Sequence, residues 1–344
     1  MRVLVTGAFG FVGNAVVRHL AEWGHEVWAL TSRPLGTALA ALPVARVLHA
    51  DVRDRDALRP ALDGVEGVCH LAALTNTRAS FDQAADYLDV NANSTGVLLD
   101  LLEQEGARGT RPPRFVLAST AAVYGTPARQ PITEDTPTDP GNPYGRSKVL
   151  AEQVLVQRGA EGRVRGTVLR GFNIAGAVAG VGDRDESRII PKALAVAAGR
   201  YPELGLNGDG TAVRHFVHVA DFARAFGLAL TTDADADTDS GTGTGTGTGT
   251  ERSARIYNVG ATAVSMREIV TAVETHTRRP VPVQRNPPTP ESPRSVADTA
   301  LIRSELGWRA ERSSLETMIA DAWDAESGRT ASPRAAATPR TTGP

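Results

Sequence analysis

A tyrosine and a lysine, Tyr144 and Lys148, stand four residues apart in a segment that predicts a helix. Pro143 suits the first helical turn, where its missing N–H costs nothing. At this spacing the phenol and the ammonium share one face of the helix. A phenol alone titrates near pH ~10, and a neighbouring ammonium favours the phenolate and lowers that pKa. The pair can then take a proton from a sugar or alcohol hydroxyl while a hydride leaves the same carbon. The same spacing occurs in ordinary exposed helices, so its meaning depends on the surrounding elements.

The composition bounds the class of protein. The 344 residues are 41% hydrophobic and 22% charged, with a formal net charge of −2. These values are typical of a soluble globular chain with one large or two modest domains. A near-neutral balance gives no electrostatic reason to expect nucleic acid or a membrane as a partner, and no apolar run reaches the ~18 residues of a membrane span. Because a strand begins at the N-terminus, we expect no signal peptide and a cytoplasmic location. We expect no metal site.

A glycine turn follows the first predicted strand, residues 2–6. Its spacing is G-x-x-G-x-x-G, and an amphipathic helix continues to Trp23. Strand, glycine turn and helix together present backbone N–H groups and a helix N-terminus to a pyrophosphate. The pattern therefore predicts dinucleotide binding. The expected cofactor contacts in this turn are Gly7, Phe9, Gly10, Phe11, Val12 and Gly13.

The ends of the next strands leave the choice of dinucleotide open. The second strand, residues 26–30, ends in Thr31-Ser32-Arg33, without the acid that usually holds the ribose diol of NAD. Hydroxyls and an arginine suit a 2′-phosphate at least as well, so we expect NAD without excluding NADP. Asp51, after the third strand, is expected to meet the adenine. The remaining predicted cofactor contacts are Val52, Leu71, Ala72, Ala73 and Asn91.

Alternation of strands and helices predicts an α/β fold, a Rossmann-type doubly wound parallel sheet with a smaller C-terminal α/β substrate-binding part. In such sheets ligands bind beyond the carboxyl ends of the strands. Thr120 follows the fifth strand, residues 114–117, and is expected to hydrogen-bond a substrate hydroxyl beside Tyr144. His70 and Cys69, in the apolar fourth strand, are expected to be buried without a chemical role.

The domain boundaries follow from the same pattern. Residues 1–170 are expected to form mainly the NAD(P)-binding domain and residues 171–325 mainly the nucleotide-sugar-binding part. The chain is expected to cross back to the first domain near 213–230 and 255–260. A low-complexity tract of D-A-D-A-D and repeated G-T over 233–250 predicts a disordered insertion in a surface loop. Residues 327–344 predict a disordered tail.

Eight segments resemble the extended short-chain dehydrogenase/reductases, and within them the UDP-glucose (UDP-galactose) 4-epimerases. They are V-T-G-A-F-G-F-V-G, H-L-A-A, S-T-A-A-V-Y-G, Y-G-R-S-K, L-R-G-F-N, G-T-A-V-R-H-F-V-H-V-A-D, Y-N-V-G and S-E-L-G-W. The resemblance covers about residues 1–325. It implies tightly bound NAD, a nucleotide-sugar substrate and a homodimer that pairs helices, among them the one carrying Tyr144.

The resemblance also implies roles for single residues. Tyr144 is the base, Lys148 lowers its pKa and holds the nicotinamide ribose, and Thr120 orients the sugar hydroxyl. Phe172 lies near the nicotinamide, Asn173 binds a substrate phosphate and Arg214 binds the pyrophosphate. In the implied reaction the sugar is oxidised to a 4-keto form, rotates, and is reduced on its other face.

The chain departs from the pattern of its relatives at several positions. Ala121 and Ala122 replace the acids that 4,6-dehydratases and decarboxylases carry, which leaves epimerisation or keto reduction. The segment ending at Glu291 lacks a second phosphate arginine, and we hypothesise that Arg188 supplies that charge. The expected substrate contacts are Arg78, Thr120, Asn173, Arg188, Arg214, Glu291 and Ser295.

Two of these contacts concern the sugar itself. Arg78 falls where relatives that act on glucuronate-type sugars have arginine, although a surface role is as consistent with the sequence. Ser295, a small residue, would leave room for an N-acetyl sugar. A 4-epimerase is the favoured interpretation. The alternatives are an NADP-dependent reductase of a 4-keto nucleotide sugar and a dinucleotide sensor on the same fold.

Overall fold

The computed structural model describes residues 1–32, 42–106, 112–232, 254–288 and 292–331. Its main layer is a seven-stranded sheet in the order β3-β2-β1-β4-β5-β6-β12, in which every neighbouring pair is parallel. The strands are β1 (Arg2–Thr6), β2 (Glu26–Thr31), β3 (Arg46–His49), β4 (Gly67–His70), β5 (Arg114–Thr120), β6 (Arg165–Gly171), β7 (Asn173–Ala175), β8 (Ala177–Val178), β9 (Val181–Gly182), β10 (Leu204–Asn207), β11 (Val213–His218), β12 (Arg255–Val259), β13 (Thr262–Ser265), β14 (Val283–Asn286) and β15 (Arg294–Ser295).

Helices connect these strands and cover both faces of the sheet. They are α1 (Phe11–Glu22), α2 (Arg55–Leu58), α3 (Ala79–Asp82), α4 (Ala84–Leu88), α5 (Ser94–Gly106), α6 (Pro143–Ala160), α7 (Ile189–Ala197), α8 (Val219–Thr231), α9 (Met266–Thr277), α10 (Ala300–Leu306) and α11 (Leu315–Ala331). Short 3₁₀ turns span Arg59–Ala61 and Ala121–Tyr124, and a π-helical turn, Asp89–Asn93, joins α4 to α5.

Alternate residues of each central strand enter different cores. In β1, Val3 and Val5 pack with α1 and α8, whereas Leu4 packs with α5 and α6 on the other face. Both sets are buried completely, which is why these strands read as continuous apolar runs. The strand order and the two covered faces confirm the predicted Rossmann-type α/β fold. Cys69 and His70 are both fully buried, as the sequence predicts.

A smaller part packs at one end of this sheet. Strands β7, β11, β13 and β15 form a mixed four-stranded sheet, and β10 pairs with β14. Helices α7, α9 and α11 supply its core, which includes Leu194, Ile269 and Met318. Helix α9 begins with a capping box between Ser265 and Glu268, the arrangement that satisfies two N-terminal N–H groups reciprocally. The chain returns to the main sheet through α8, which packs on α1, and through β12.

Two predicted disordered segments meet the limits of the described chain. The G-T insertion over 233–250 lies outside the described residues. Helix α11 runs to Ala331, past Ser327, where the predicted tail begins, and residues 332–344 lie outside the described residues. Among the helices in the described ranges, none combines the length and the apolar character that crossing a membrane requires.

Candidate active site

Helix α6 brings the tyrosine and the lysine to the carboxyl end of the sheet. Asn142 starts the helix, because its side chain accepts a hydrogen bond from the Gly145 N–H at 2.8 Å, and Pro143 occupies the first turn. Gly145 allows the helix to pass close to the end of β5, since a Cβ there would lie 2.6 Å from the Ala122 carbonyl oxygen. Tyr144 is half-buried and Lys148 is 2% exposed.

Two neighbours hold the Tyr144 side chain. Thr120, the last residue of β5, is a hydrogen-bond partner of the Tyr144 hydroxyl. Tyr87 of α4 meets the Tyr144 ring edge-on, with centroids 6.3 Å apart. Thr120 is itself fixed, because its hydroxyl oxygen accepts a hydrogen bond from the Ala122 N–H at 3.2 Å. The fold therefore brings Thr120 to the Tyr144 hydroxyl, and the binding of a substrate hydroxyl by Thr120 stays a prediction.

The pKa of Tyr144 moves against the sequence expectation. We expected the Lys148 ammonium to lower it, but burial raises the pKa of the Tyr144 phenol, against the opposing effects of the Thr120 hydrogen bond and the Arg188 charge. Burial also lowers the pKa of Lys148 to about 8, against the opposing charge of Glu152. Desolvation disfavours the charged form of both groups, and it depends on tertiary packing that helical spacing does not report.

Hydrogen bonds join His70, which lies within reach of the Lys148 charge, to the residue before the glycine turn. The Thr6 hydroxyl, one residue before Gly7, lies 2.8 Å from His70 Nδ1 and accepts hydrogen bonds from the Leu71 and Ala72 N–H groups at 3.1 Å each. His70 in turn feels the charge of Lys148, and burial, followed by that charge, lowers the pKa of His70 to about 3. The helix that carries Tyr144 and Lys148 and the ends of β1 and β4 therefore meet in one region of the fold.

The glycine turn has the shape that a pyrophosphate requires. Gly7 has a left-handed φ of 67°, and a Cβ there would lie 2.8 Å from the Ala72 nitrogen. A Cβ at Gly13 would overlap the Gly7 carbonyl oxygen, so only glycine lets α1 pack this closely. Gly10 occupies the N-cap of α1 and has no side chain to cover the first N–H groups of the helix. Phe9, Phe11 and Val12 are half-buried around this turn.

Two other predicted cofactor contacts, Asp51 and Asn91, are hydrogen-bonded to groups of the protein itself. Asp51 lies two residues after β3, but Arg53 donates to its carboxylate at 2.7 and 2.9 Å, and these hydrogen bonds lower the pKa of Asp51. Asn91 is fully buried, and its amide donates to the Leu74 carbonyl at 3.0 Å and to Ser147 Oγ at 2.9 Å. Both amide hydrogens are thus used inside the protein, and Asn91 braces α6 against the π-helical turn.

The remaining members of the predicted cofactor set lie at strand ends. Thr31 closes β2 and Ser32 follows it, exposed, whereas Arg33 lies outside the described residues. Leu71, Ala72 and Ala73 follow β4 and are half-buried; Val52 and Phe172 are each 8% exposed.

The predicted substrate contacts fall into two places. Arg214 of β11 and Ser295 of β15 stand opposite each other in register, and the Arg214 guanidinium donates to the Val213 and Ser292 carbonyls at 3.0 Å each. Asn173 begins β7, beside β11, and its amide donates to the His215 carbonyl at 3.0 Å. Glu291 lies outside the described residues.

Arg188 lies at the other place, next to Tyr144. It is the N-cap residue of α7, and its guanidinium pairs with Asp183 at 2.9 Å and with Asp185 at 3.6 Å. Its charge reaches the Tyr144 hydroxyl. Arg78 is exposed at the start of α3.

Comparison with known proteins identifies the chain. The model of the NAD dependent epimerase/dehydratase family matches residues 3–260. The chain belongs to this family. A UDP-glucose 4-epimerase of Corynebacterium glutamicum is 32% identical over 333 residues, which cover 94% of this chain and 95% of that protein. The expected likeness to nucleotide-sugar epimerases of the extended short-chain dehydrogenase/reductases is thereby confirmed.

Solved structures agree with this assignment. A UDP-glucose-4-epimerase from Stenotrophomonas maltophila with bound NAD and formylated UDP-arabinopyranose superposes with a TM-score of 0.84 at 29% identity, covering 96% of this chain and 99% of that one. MoeE5 in complex with UDP-glucuronic acid and NAD gives a TM-score of 0.78 at 28% identity, covering 96% and 100%.

The residues of the site fit the NAD on which the family depends. The glycine turn leaves a cradle that a Cβ at Gly7 would fill, and the uncapped start of α1 favours a phosphate. The buried lysine at the carboxyl end of the sheet supplies a cation on the same side. Gly7, Gly10 and Gly13 would hold the pyrophosphate, and Lys148 and Phe172 would adjoin the nicotinamide end.

Sequence reasoning missed several residues that shape the site. Tyr87 packs on Tyr144, and Ser147 connects α6 to Asn91. Glu152 and Arg170 form a buried ion pair at 2.6 Å beneath the site. The i+4 spacing of Lys148 and Glu152 could have indicated that Glu152 lies on the same helical face as the lysine. The partners Tyr87 and Arg170 carry no local pattern that points to them.

Proposed function

We propose that the protein is a nucleotide-sugar 4-epimerase that inverts C4 of a UDP-hexose through a transient 4-keto sugar. The observation that carries this proposal is the placement of Tyr144, with Thr120 bonded to its hydroxyl and Lys148 one helical turn away, at the sheet end that the glycine turn also faces. NAD, when bound, supplies hydride acceptance and return. The rest of the chemistry belongs to the side chains.

Tyr144 takes the proton of the sugar 4-hydroxyl and later returns it. Thr120 holds that hydroxyl beside the phenol, since both residues already form a hydrogen-bonded pair. The Lys148 charge favours the phenolate when the proton is transferred. Because burial raises the pKa of the Tyr144 phenol, this stabilisation is needed at neutral pH. A positioned general base of this kind contributes about 10²–10⁴-fold to the rate.

The positions after Thr120 support epimerisation over elimination. Ala121 and Ala122 form the 3₁₀ turn that follows β5, and neither offers a carboxyl group beside the substrate hydroxyl. A 4,6-dehydratase or a decarboxylase needs an acid in this turn. The oxidised sugar would then keep its carbon skeleton and its substituents until it is reduced again.

Arg214, Arg188 and Asn173 would bind the substrate diphosphate. The first two are arginines, whose planar guanidinium can form two parallel hydrogen bonds to phosphate oxygens. Two further assignments concern the sugar. Exposed Arg78 at the start of α3 would meet a carboxylated sugar such as UDP-glucuronate, the ligand of the similar MoeE5 structure. Ser295, small and opposite Arg214, would admit an N-acetylhexosamine.

We also propose a homodimer formed through the outer face of α6. Leu88 of α4 and Leu150 of α6 are 41% and 38% exposed, and these two helices pack against each other. Such exposed leucines favour an apolar partner surface. Light scattering should give twice the 36.2 kDa chain mass, and Leu150→Glu should give the monomer. A monomeric wild-type protein would contradict this assignment.

The function is tested with purified protein and a panel of UDP-, dTDP- and GDP-sugars. The epimerase proposal expects NAD to co-purify and UDP-glucose and UDP-galactose, or another C4 pair, to interconvert without added cofactor. Stoichiometric NADPH consumption would instead identify a reductase. Nucleotide binding without any turnover would identify a sensor.

A further inference from the structure

Helix α6 carries a third charged side chain beneath the Tyr144–Lys148 pair. Glu152 follows Lys148 by one helical turn, which places both on one face. Glu152 is 4% exposed and Lys148 is 2% exposed, so the two charged side chains are buried together. Burying a carboxylate is costly unless cations and hydrogen bonds compensate it. The surroundings of Glu152 therefore show what it does.

Both carboxylate oxygens of Glu152 are engaged at the ends of β5 and β6. Arg170 donates to Oε2 from Nη2 at 2.6 Å and to Oε1 from Nε at 3.1 Å. The Ser119 hydroxyl donates to Oε1 as well. Ser119 precedes Thr120 on β5 and stands opposite Arg170 in register. The carboxylate is thus fixed directly below the residues that border the substrate site.

Arg170 is held by two hydrogen bonds besides those to the carboxylate. Its Nη1 donates to the Tyr124 hydroxyl at 2.8 Å and to the Glu134 carbonyl at 3.3 Å. The Tyr124 hydroxyl donates to Asn258 Oδ1 at 2.7 Å. The simplest role of this network is structural, since it joins α6 to the sheet. The charges around Lys148 indicate that Glu152 has a second, electrostatic role.

The titratable groups around Lys148 come from three elements, β4, α6 and β6. On β4, His70 stays neutral at working pH, because burial lowers its pKa to about 3. On α6, Tyr144 is neutral, because burial raises its pKa, and Glu152 is the anion that opposes the loss of the Lys148 proton. Arg170, paired with Glu152, weakens that attraction from β6. The charge of Lys148 near neutral pH therefore depends on the balance between Glu152 and Arg170.

We infer that Glu152 is a positioning residue for the reaction, which keeps the buried Lys148 ammonium charged, and that Arg170 sets the strength of this effect. The mechanistic meaning rests on the proposed function, since it needs a charged Lys148 beside Tyr144. The effect of Glu152 on the charge of Lys148 can be measured without substrate. Failure of this electrostatic effect is therefore distinguishable from failure of the proposed function.

The chain offers an unusually direct measurement, because it contains two lysines, Lys148 and Lys192. Protein labelled with ¹³C at the lysine ε-carbon gives two signals, and Lys192→Arg assigns them. Lys192 lies over the Tyr201 ring and serves as the internal reference. The wild-type Lys148 signal should titrate near pH 8, since its pKa is lowered to about 8.

The two partners of the ion pair should move this titration in opposite directions. Glu152→Gln keeps the shape and removes the charge, and should raise the acid dissociation constant of Lys148 at least tenfold. Arg170→Met frees the carboxylate and should lower that constant. Glu152→Asp keeps the charge and should leave the constant within about threefold of wild type. Any one of these variants is a sufficient test if it folds, and circular dichroism checks that it does.

A purely structural ion pair would give a different result. In that case Glu152→Gln and Arg170→Met would both loosen α6 in the same way. The titration of Lys148 would then stay unchanged or shift in the same direction in both variants, and either result would overturn the inference. In turnover assays, Glu152→Gln should move the alkaline limb of the kcat profile to lower pH with KM little changed. If the protein proves inactive as an epimerase while the opposite NMR shifts appear, the electrostatic role stands and the proposed function does not.

Discussion

The ring of Tyr144 stands edge-on to the ring of Tyr87, with centroids 6.3 Å apart. Tyr87 is itself immobilised, because it is 2% exposed and its hydroxyl donates to the Asn76 carbonyl at 2.5 Å. Edge-to-face pairs of this kind are worth about 0.5–1.5 kcal/mol beyond the buried area. Tyr87 therefore orients the Tyr144 ring through the ring contact, while its own hydroxyl is bonded elsewhere.

Replacing Tyr87 should misalign the base without removing it. Tyr87→Leu loses the ring contact, and we expect kcat to fall at least tenfold with KM changed little, because positioning acts in the transition state. Tyr87→Phe keeps the ring and serves as the matched control, with a smaller loss. Steady-state kinetics measure both variants. Equal activities of Tyr87→Leu and wild type would show that the ring contact does not orient Tyr144.

Arg188 should contribute to nucleotide-sugar binding. With its ion pairs to Asp183 and Asp185 formed, the Arg188 side chain is 42% exposed, and a charged hydrogen bond to phosphate is worth about 1.5–3 kcal/mol. Arg188→Ala should weaken UDP-glucose binding in calorimetry by about tenfold or more. Arg184→Ala, an exposed arginine of the same segment, is the control with the same charge change. Unchanged affinity in Arg188→Ala would end the assignment.

Ser295 should control the size of the sugar that the site accepts. Opposite Arg214, a tyrosine would fill the space that an N-acetyl group needs. Ser295→Tyr should lower kcat/KM for UDP-N-acetylglucosamine at least tenfold relative to UDP-glucose, and Ser295→Thr should leave that ratio near wild type. The ratio is measured by competing the two substrates in one reaction. If Ser295→Tyr leaves it unchanged, Ser295 does not line the sugar pocket.

His70 should make the fold sensitive to acid. Burial lowers its pKa to about 3 from 6.5, so the unfolded chain binds the extra proton as pH falls from about 6.5 towards 3. The contribution of neutral His70 to the free energy of unfolding is therefore fully present above pH ~6.5, and about 2 kcal/mol of it should be lost by pH ~5. His70→Gln should lose correspondingly less between pH ~7 and pH ~5 in denaturant titrations. An identical loss in both proteins would exclude His70 as the source.

The residues with local patterns were predictable from the sequence. The glycine turn, the alternation of strands and helices and the four-residue spacing of Tyr144 and Lys148 can each be read from short stretches of the sequence. The pKa of Tyr144 was not predictable, because burial, which raises it, depends on packing against Tyr87. The contact of Glu152 with Arg170 was not predictable either, since it requires β6 to lie beside β5 and α6 to cover both.

The direct test of the account is Tyr144→Phe, which removes one oxygen and keeps the ring that packs on Tyr87. Tyr201→Phe is the control, because Tyr201 is 38% exposed and its hydroxyl bonds Glu186 on the surface. With the sugar pair found to interconvert, kcat of Tyr144→Phe should fall by about 10²–10⁴-fold, while bound NAD and KM stay near wild type. Tyr201→Phe should retain full activity. Undiminished turnover by Tyr144→Phe would contradict the assignment of Tyr144 as the base.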